Sequence, residues 1–220
     1  MVGSGERGSY RASLLYLAAA LLACDVAFAQ PQVSVVERQH LTVQATGAHR
    51  LSLAVVQVDG TGWIRDKAEA VLREASTILA QCDIGITSVE WLRVSVPPRY
   101  LDFSTPTARE LAVAAPVRRP AIYLVRNTLN RPAFQAEAIG RGNSRTRPEL
   151  VDTVWITLRT RDPGIALAHE LAHVLMNSGE HSDEPDNLMR DEASGANTKL
   201  SVTQCTRMRD TARENGLLQR

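Results

Sequence analysis

Apolar positions change their period along the chain, and each change marks an element. Residues 33–46 and 51–58 are rich in Val, Leu and Thr and read as strands on either side of a turn at Gly47. Over 63–81 the period becomes helical. Ile64, Ala68, Val71, Leu72, Ala75, Ile78 and Leu79 recur on one face, with Arg and Glu on the other. Strand character returns over 84–96 and stops at Pro97 and Pro98, which cannot extend a ladder. A short helix over 107–115, a buried strand over 121–125 and another strand over 151–158 follow. Between these last two strands, 126–148 holds Gly140, Gly142, Asn143 and two prolines, and reads as loop flanking a short edge strand at 136–140. Asp162 and Pro163 then open an apolar helix over 165–176, and 201–218 reads as a closing helix. The pattern predicts a mixed fold without internal repeats.

The first thirty residues stand apart from that fold. Arg7 and Arg11 precede an apolar stretch, and Ala27-Phe28-Ala29 has the small-x-small form of a signal peptidase site. Residues 1–29 therefore read as a signal peptide, with 30–220 as one exported domain. A membrane anchor is the competing reading, but the apolar run falls short of the roughly 18–20 residues a span needs and Asp25 interrupts it. Leu21-Leu22-Ala23-Cys24 also resembles a bacterial lipoprotein box, so a lipid anchor at Cys24 is a second variant. The 25 basic and 24 acidic residues leave a net charge of +1, which gives no field to attract nucleic acid or an anionic membrane.

Cysteine usage fits export. With Cys24 in the leader, Cys82 and Cys205 remain as one pair in an oxidising compartment, either bridged or as two unrelated buried thiols. A bridge would close a loop of roughly 120 residues and stabilise the fold by about 4–5 kcal/mol in the chain-entropy model.

The chemistry lies in the 165–176 helix. His169 and His173 are four residues apart, so on a helix they share a face about 6 Å apart along the axis and can converge on one ion. Glu170 points about 100° away, close enough to act as a general base without being a ligand. This is H-E-x-x-H, the zinc-hydrolase signature. A catalytic zinc takes three protein ligands and keeps an open position, so a third ligand is required. On an unbroken helix His181 would lie about 12 Å past His173. Asn177-Ser178-Gly179 is helix-stop chemistry, however, with Gly179 suited to the left-handed turn that would send the chain back and bring His181 to the ion.

HELAHVLMNSGEHSDEPDNLM, residues 169–189, resembles the metzincin class of zinc endopeptidases, and among them the matrixins, whose pattern is H-E-x-x-H-x-x-G-x-x-H followed by a methionine turn. The pairs His181-Ser182 and Leu188-Met189 are similar to the matrixin version. The resemblance implies an α+β fold: a twisted mixed sheet with an antiparallel edge strand, a long backing helix, an active-site helix and a small C-terminal part ending in a helix. It implies an upper lobe over 30–178 and a lower lobe over 179–220. It also implies one zinc ion on His169, His173 and His181, Glu170 as catalytic base and acid, and Met189 as an apolar floor beneath the metal. An extended peptide or protein substrate would lie antiparallel to the 136–140 edge strand.

The sequence departs from that pattern in one place. Eight steps separate His173 from His181 where the family has six, and Gly179 stands two before the last histidine instead of three. A two-residue insertion at the turn accounts for this. Glu192 is the competing third ligand, as in thermolysin-like enzymes, although Pro185, Asn187 and Gly195 speak against the helix it would need. Asp183 and Asp186 read as surface acids. Arg190 and Asp191 follow the methionine where some metzincins carry a tyrosine that assists the transition state.

Two charged stretches and two rival functions complete the reading. Seven arginines, Arg118, Arg119, Arg126, Arg131, Arg141, Arg145 and Arg147, face only Glu137, and form either a basic cleft rim or a solvated surface. Glu180, Asp183, Glu184 and Asp186 could hold calcium but match no recognised calcium loop. Besides a secreted endopeptidase, the H-E-x-x-H site suits an exported zinc amidase acting on a non-protein amide such as a cell-wall bond. A zinc-stabilised binding module is the non-enzymatic alternative, and it has no need of Glu170. The short stretch before the first strand leaves no room for a long pro-segment, so thiol-type latency is not expected.

Overall fold

The first two strands carry opposite burial. β1 (Ser34–Thr42) is largely exposed, whereas β2 (His49–Val58) is buried almost throughout. Along β2, Leu51, Leu53 and Val55 face one apolar layer and Ala54, Val56 and Val58 face another, so both faces of the sheet require cover. α1 (Arg65–Leu79) follows, ending in a 3₁₀ turn (Ala80–Cys82), and then comes β3 (Ile84–Ser95). The chain continues through β4 (Asp102–Phe103), α2 (Thr105–Ala114), β5 (Ala121–Val125) and β6 (Asn127–Thr128). β7 (Ala136–Ile139), β8 (Thr153–Thr157), α3 (Pro163–Met176), α4 (Val202–Glu214) and β9 (Leu218–Gln219) complete it. This computed structural model describes residues 32–43, 47–142, 144–191 and 194–219. The signal-peptide reading of 1–29, Cys24 and Glu192 lie outside the described residues.

The main sheet has the order β1-β3-β2-β5-β8-β7, with β9 pairing antiparallel to the start of β2. β3, β2, β5 and β8 run parallel, while β1 and β7 are antiparallel edges. This is the mixed sheet with an antiparallel edge strand, backing helix and later helices expected from the sequence. The parallel neighbours β2 and β3 need a crossover, which α1 supplies, and α2 lies on the connection from β3 to β5, which pairs with β2 on its other side. α1, α3 and α4 pack into one core layer and α2 into the other. β4 and β6 form a separate two-stranded parallel ladder, which apolar periodicity could not reveal at two residues each.

β1 pairs with β3 and not with its sequence neighbour β2. At Gly47, where φ is +139°, a Cβ would stand 2.8 Å from the Asp83 carbonyl oxygen, so the chain passes too close to the start of β3 for any other residue. The closing helix ends at Glu214 and not at 218: Gly216 takes φ +72°, and Leu218 turns back to pair with Leu51.

Helices α1 and α3 come close at Gly164, where a Cβ would lie 2.6 Å from the Glu74 Cβ. Gly164→Ala gains helix propensity but forces the helices apart. We expect a net loss of about 1–2 kcal/mol in urea unfolding, from overpacking against a rigid neighbour. An unchanged or higher midpoint would show that the helices yield freely there.

Cys82, in the turn after α1, is bonded to Cys205 on α4. Both are buried. Ser201 and Gln204 form a capping box at the start of α4, with the Ser201 N–H donating to Gln204 Oε1 at 2.8 Å. Among the described residues no helix is long and apolar enough to cross a membrane.

Candidate metal centre

α3 is apolar nearly all round, and Gly164 through Met176 are buried except at the polar positions that face the cleft. Pro163 occupies its first turn, where its missing N–H has no partner to lose. The helix ends at Asn177, which takes the left-handed conformation with φ and ψ both 47°. The Asn177 N–H donates to Val174 O at 3.2 Å and the Ser178 N–H to His173 O at 3.1 Å, the paired bonds of a Schellman stop. The left-handed residue is thus Asn177, not Gly179 as the sequence suggested, because asparagine tolerates that conformation and the helix already runs out there.

The turn brings three histidines together. One ligand atom from each of His169, His173 and His181 lies within 4.8 Å of the others. His169 is buried, His173 partly buried and His181 exposed. His169 donates Nδ1–H to Leu188 O and His173 donates Nδ1–H to Ser178 O, each at 2.7 Å. Carbonyl oxygens accept only, so both protons are fixed on Nδ1. The two Nε2 atoms then face each other at 2.9 Å. Burial lowers the pKa of His169, and it pushes His173 down to about 4 with further help from His169 beside it. Two neutral rings therefore aim lone pairs at one point, an arrangement that repels unless a cation sits between them. The donor set fits a metal ion, and three neutral imidazoles suit zinc.

Glu170 stands one residue along from His169. Its surroundings push its carboxyl up to about 8, mainly by burial; the Ala138 backbone N–H opposes this and the nearby Glu137 reinforces it. The residue keeps some surface on a cleft of about 500 Å³ that also takes in Ala138, Gly140, His173 and Asp191. A second hollow of about 460 Å³ also borders Glu170, against Phe134, Gln135 and Arg161. β7 borders both, one of its edges being paired to β8. Met189 is buried in the core, and the Leu188 carbonyl next to it in sequence receives His169.

Glu170 gives the metal-free protein a pH signature. A folded value of about 8 against an unfolded one near 4.3 means that the folded chain keeps a proton the unfolded chain releases. Its contribution to stability therefore falls as pH rises from about 4.3 to 8. His173 acts in the opposite sense: with a folded value of about 4 below an unfolded one near 6.5, it loses stability as pH falls through that window. Metal-free Glu170→Gln should be more stable than wild type by a margin that grows up to about pH 8 and then levels. Unfolding free energies measured across pH check this, and a margin that does not vary would contradict the burial of the carboxyl.

The charged stretches resolve more plainly. None of the seven arginines lines either cavity. Arg126 is paired to Asp102 at 2.6 Å, Arg141 to Asp152 at 2.8 Å, and Arg119 reaches Glu149 O at 2.5 Å. In the acidic run, Glu180 pairs with Arg207, Asp186 with Lys199 at 3.0 Å, and Glu184 accepts from Asn187 at 3.4 Å. Among the described residues the three-histidine group is the one set placed to hold an ion. Sequence reading gave no part to the carbonyls of Leu188 and Ser178, since backbone groups leave no trace in residue type. Nor did it give one to Asp191, whose Oδ1 lies 3.5 Å from His181 Nδ1.

No family model and no curated protein matches this chain. Its fold is similar to that in the crystal structure of metalloproteinase-II from Bacteroides fragilis, with a TM-score of 0.53 and 19% identity, over 79% of this chain and 57% of that one. The chain thus spans little more than half the length of the structure it matches. At that identity the likeness is one of fold.

Proposed function

We propose that this chain is an exported zinc endopeptidase of the metzincin type, matrixin-like around its third histidine and methionine turn. The observation that carries the reading is the pair of Nε2 atoms 2.9 Å apart, each on a ring whose other nitrogen is fixed to a carbonyl, with His181 closing the group. The metalloproteinase fold of the neighbour supports it. In this reading His169, His173 and His181 hold the ion, and Met189 forms the apolar floor. Zinc held there supplies Lewis acidity and brings the pKa of water down toward about 7.

The remaining work falls to the chain itself. Glu170 takes the proton of the attacking water and returns it to the leaving amine, the positive charge of a bound ion favouring its ionised form for the first step. The free edge of β7 binds an extended peptide antiparallel, so that main-chain hydrogen bonds set the scissile carbonyl beside Glu170. Residues 30–178 form the upper wall of the cleft and 179–220 the lower. The leader of 1–29 sends the domain to an oxidising compartment, which accords with the Cys82–Cys205 bond.

Metal analysis of residues 30–220 tests the site. One zinc per chain is expected in the wild type, and His173→Ala should lose it. Full zinc content in that variant would move the ion elsewhere. Cleavage of an unfolded protein substrate by the loaded chain separates an endopeptidase from an amidase for non-protein bonds, which would leave the substrate intact.

A further inference from the structure

The three imidazoles are braced differently. His169 and His173 are each held by a neutral backbone carbonyl, but His181 Nδ1 faces the carboxylate of Asp191 at 3.5 Å. The segment between those two residues is tied across itself. The Ser182 N–H donates to Met189 O at 2.7 Å, and Arg190 Nη1 donates to Asp183 O at 2.9 Å. With both legs joined, the residues at the two ends, His181 and Asp191, are turned toward each other. Outside the loop, Glu180 is paired with Arg207 of α4, which holds the approach to His181 from the other flank.

Folding does not explain the carboxylate. The Asp191 side chain is 89% exposed and that of His181 39%, and an ion pair so open to water contributes little to stability. His181, however, is the one histidine of the three that no helix carries, and it follows the lengthened turn after Asn177. Its ring has the most freedom to lose when it is fixed.

We propose that Asp191 is a positioning residue for His181: by accepting the Nδ1–H it selects the tautomer whose Nε2 lone pair faces His169 and His173, and it makes that nitrogen a stronger donor. The loop over 182–190 is then a bracket that carries a metal ligand at one end and its brace at the other. This inference rests on the three-histidine metal reading above.

Chelator competition for zinc, run on the full mature chain, tests it. Asp191→Ala should bind zinc about 10–100-fold more weakly than wild type, and Asp191→Asn, which keeps a neutral acceptor, should recover part of the loss. Asp183→Ala removes the same charge from the same loop without touching His181 and should leave the affinity unchanged. Metal-free unfolding midpoints should be the same in all four proteins, and the visible spectrum of the cobalt-loaded chain should shift in Asp191→Ala, less in Asp191→Asn, and not in Asp183→Ala. Equal affinity in Asp191→Ala and wild type, or an equal loss in Asp183→Ala, would overturn the proposal. A wild type that takes up no zinc would overturn the metal centre itself, a result distinct from either.

Discussion

Glu170→Gln is expected to take up zinc as the wild type does and to lose peptide hydrolysis by a factor of about 10²–10⁴, the usual contribution of a positioned general acid–base. The substitution keeps the size of the side chain and an oxygen that can accept from the Ala138 N–H, so the cleft should keep its shape. It removes the carboxyl next to His169 that can both take and return a proton. The histidines remain fixed by Leu188 O and Ser178 O, neither of which depends on Glu170. Zinc content and unfolding should therefore report an intact site while turnover falls. Hydrolysis at the wild-type rate would remove Glu170 from the mechanism, and loss of zinc together with turnover would make it a structural residue.

The second large effect concerns the Cys82–Cys205 bond, which closes a sequence separation of 123 residues. Chain entropy assigns such a loop about 5 kcal/mol, and measured losses for native disulfides run at about 2–5 kcal/mol. For a chain of about 190 residues this corresponds to a fall of roughly 10 °C in the unfolding midpoint. The double variant Cys82→Ser, Cys205→Ser checks it in a thermal scan beside the oxidised wild type. Because α4 packs on α3 and its Arg207 pairs with Glu180 next to His181, the same variant should also loosen the third-ligand loop. An unchanged midpoint would mean that the packing of Met208 and Ala212 suffices to hold α4.

Much of this was legible in the sequence, for identifiable reasons. The four-residue spacing of His169 and His173 has only one consequence on a helix, and α3 runs from Pro163 to Met176 much as its apolar run requires. A bridge was one of two readings of the Cys82 and Cys205 pair, and the fold shows it. The pairing of β1 with β3 was not legible, because a strand's period says which face is buried and nothing about its partner. The helix stop was assigned to Gly179 on residue type, whereas the fold places the left-handed residue at Asn177, where both Schellman bonds close. β9 escaped for a different reason: two residues carry no period, and only Gly216 hinted that the helix ended before Leu218. The basic stretch shows the limit of counting charges, since Arg126 and Arg141 meet acids at 102 and 152 that lie outside or at the edge of any local window.

The most direct test of the central claim is to incubate residues 30–220 with an unbiased peptide library and to read new termini by mass spectrometry, with and without a chelator. Internal cleavages that vanish with the chelator and return when zinc is restored are expected. A chain that binds one zinc ion yet leaves every peptide intact would contradict the claim.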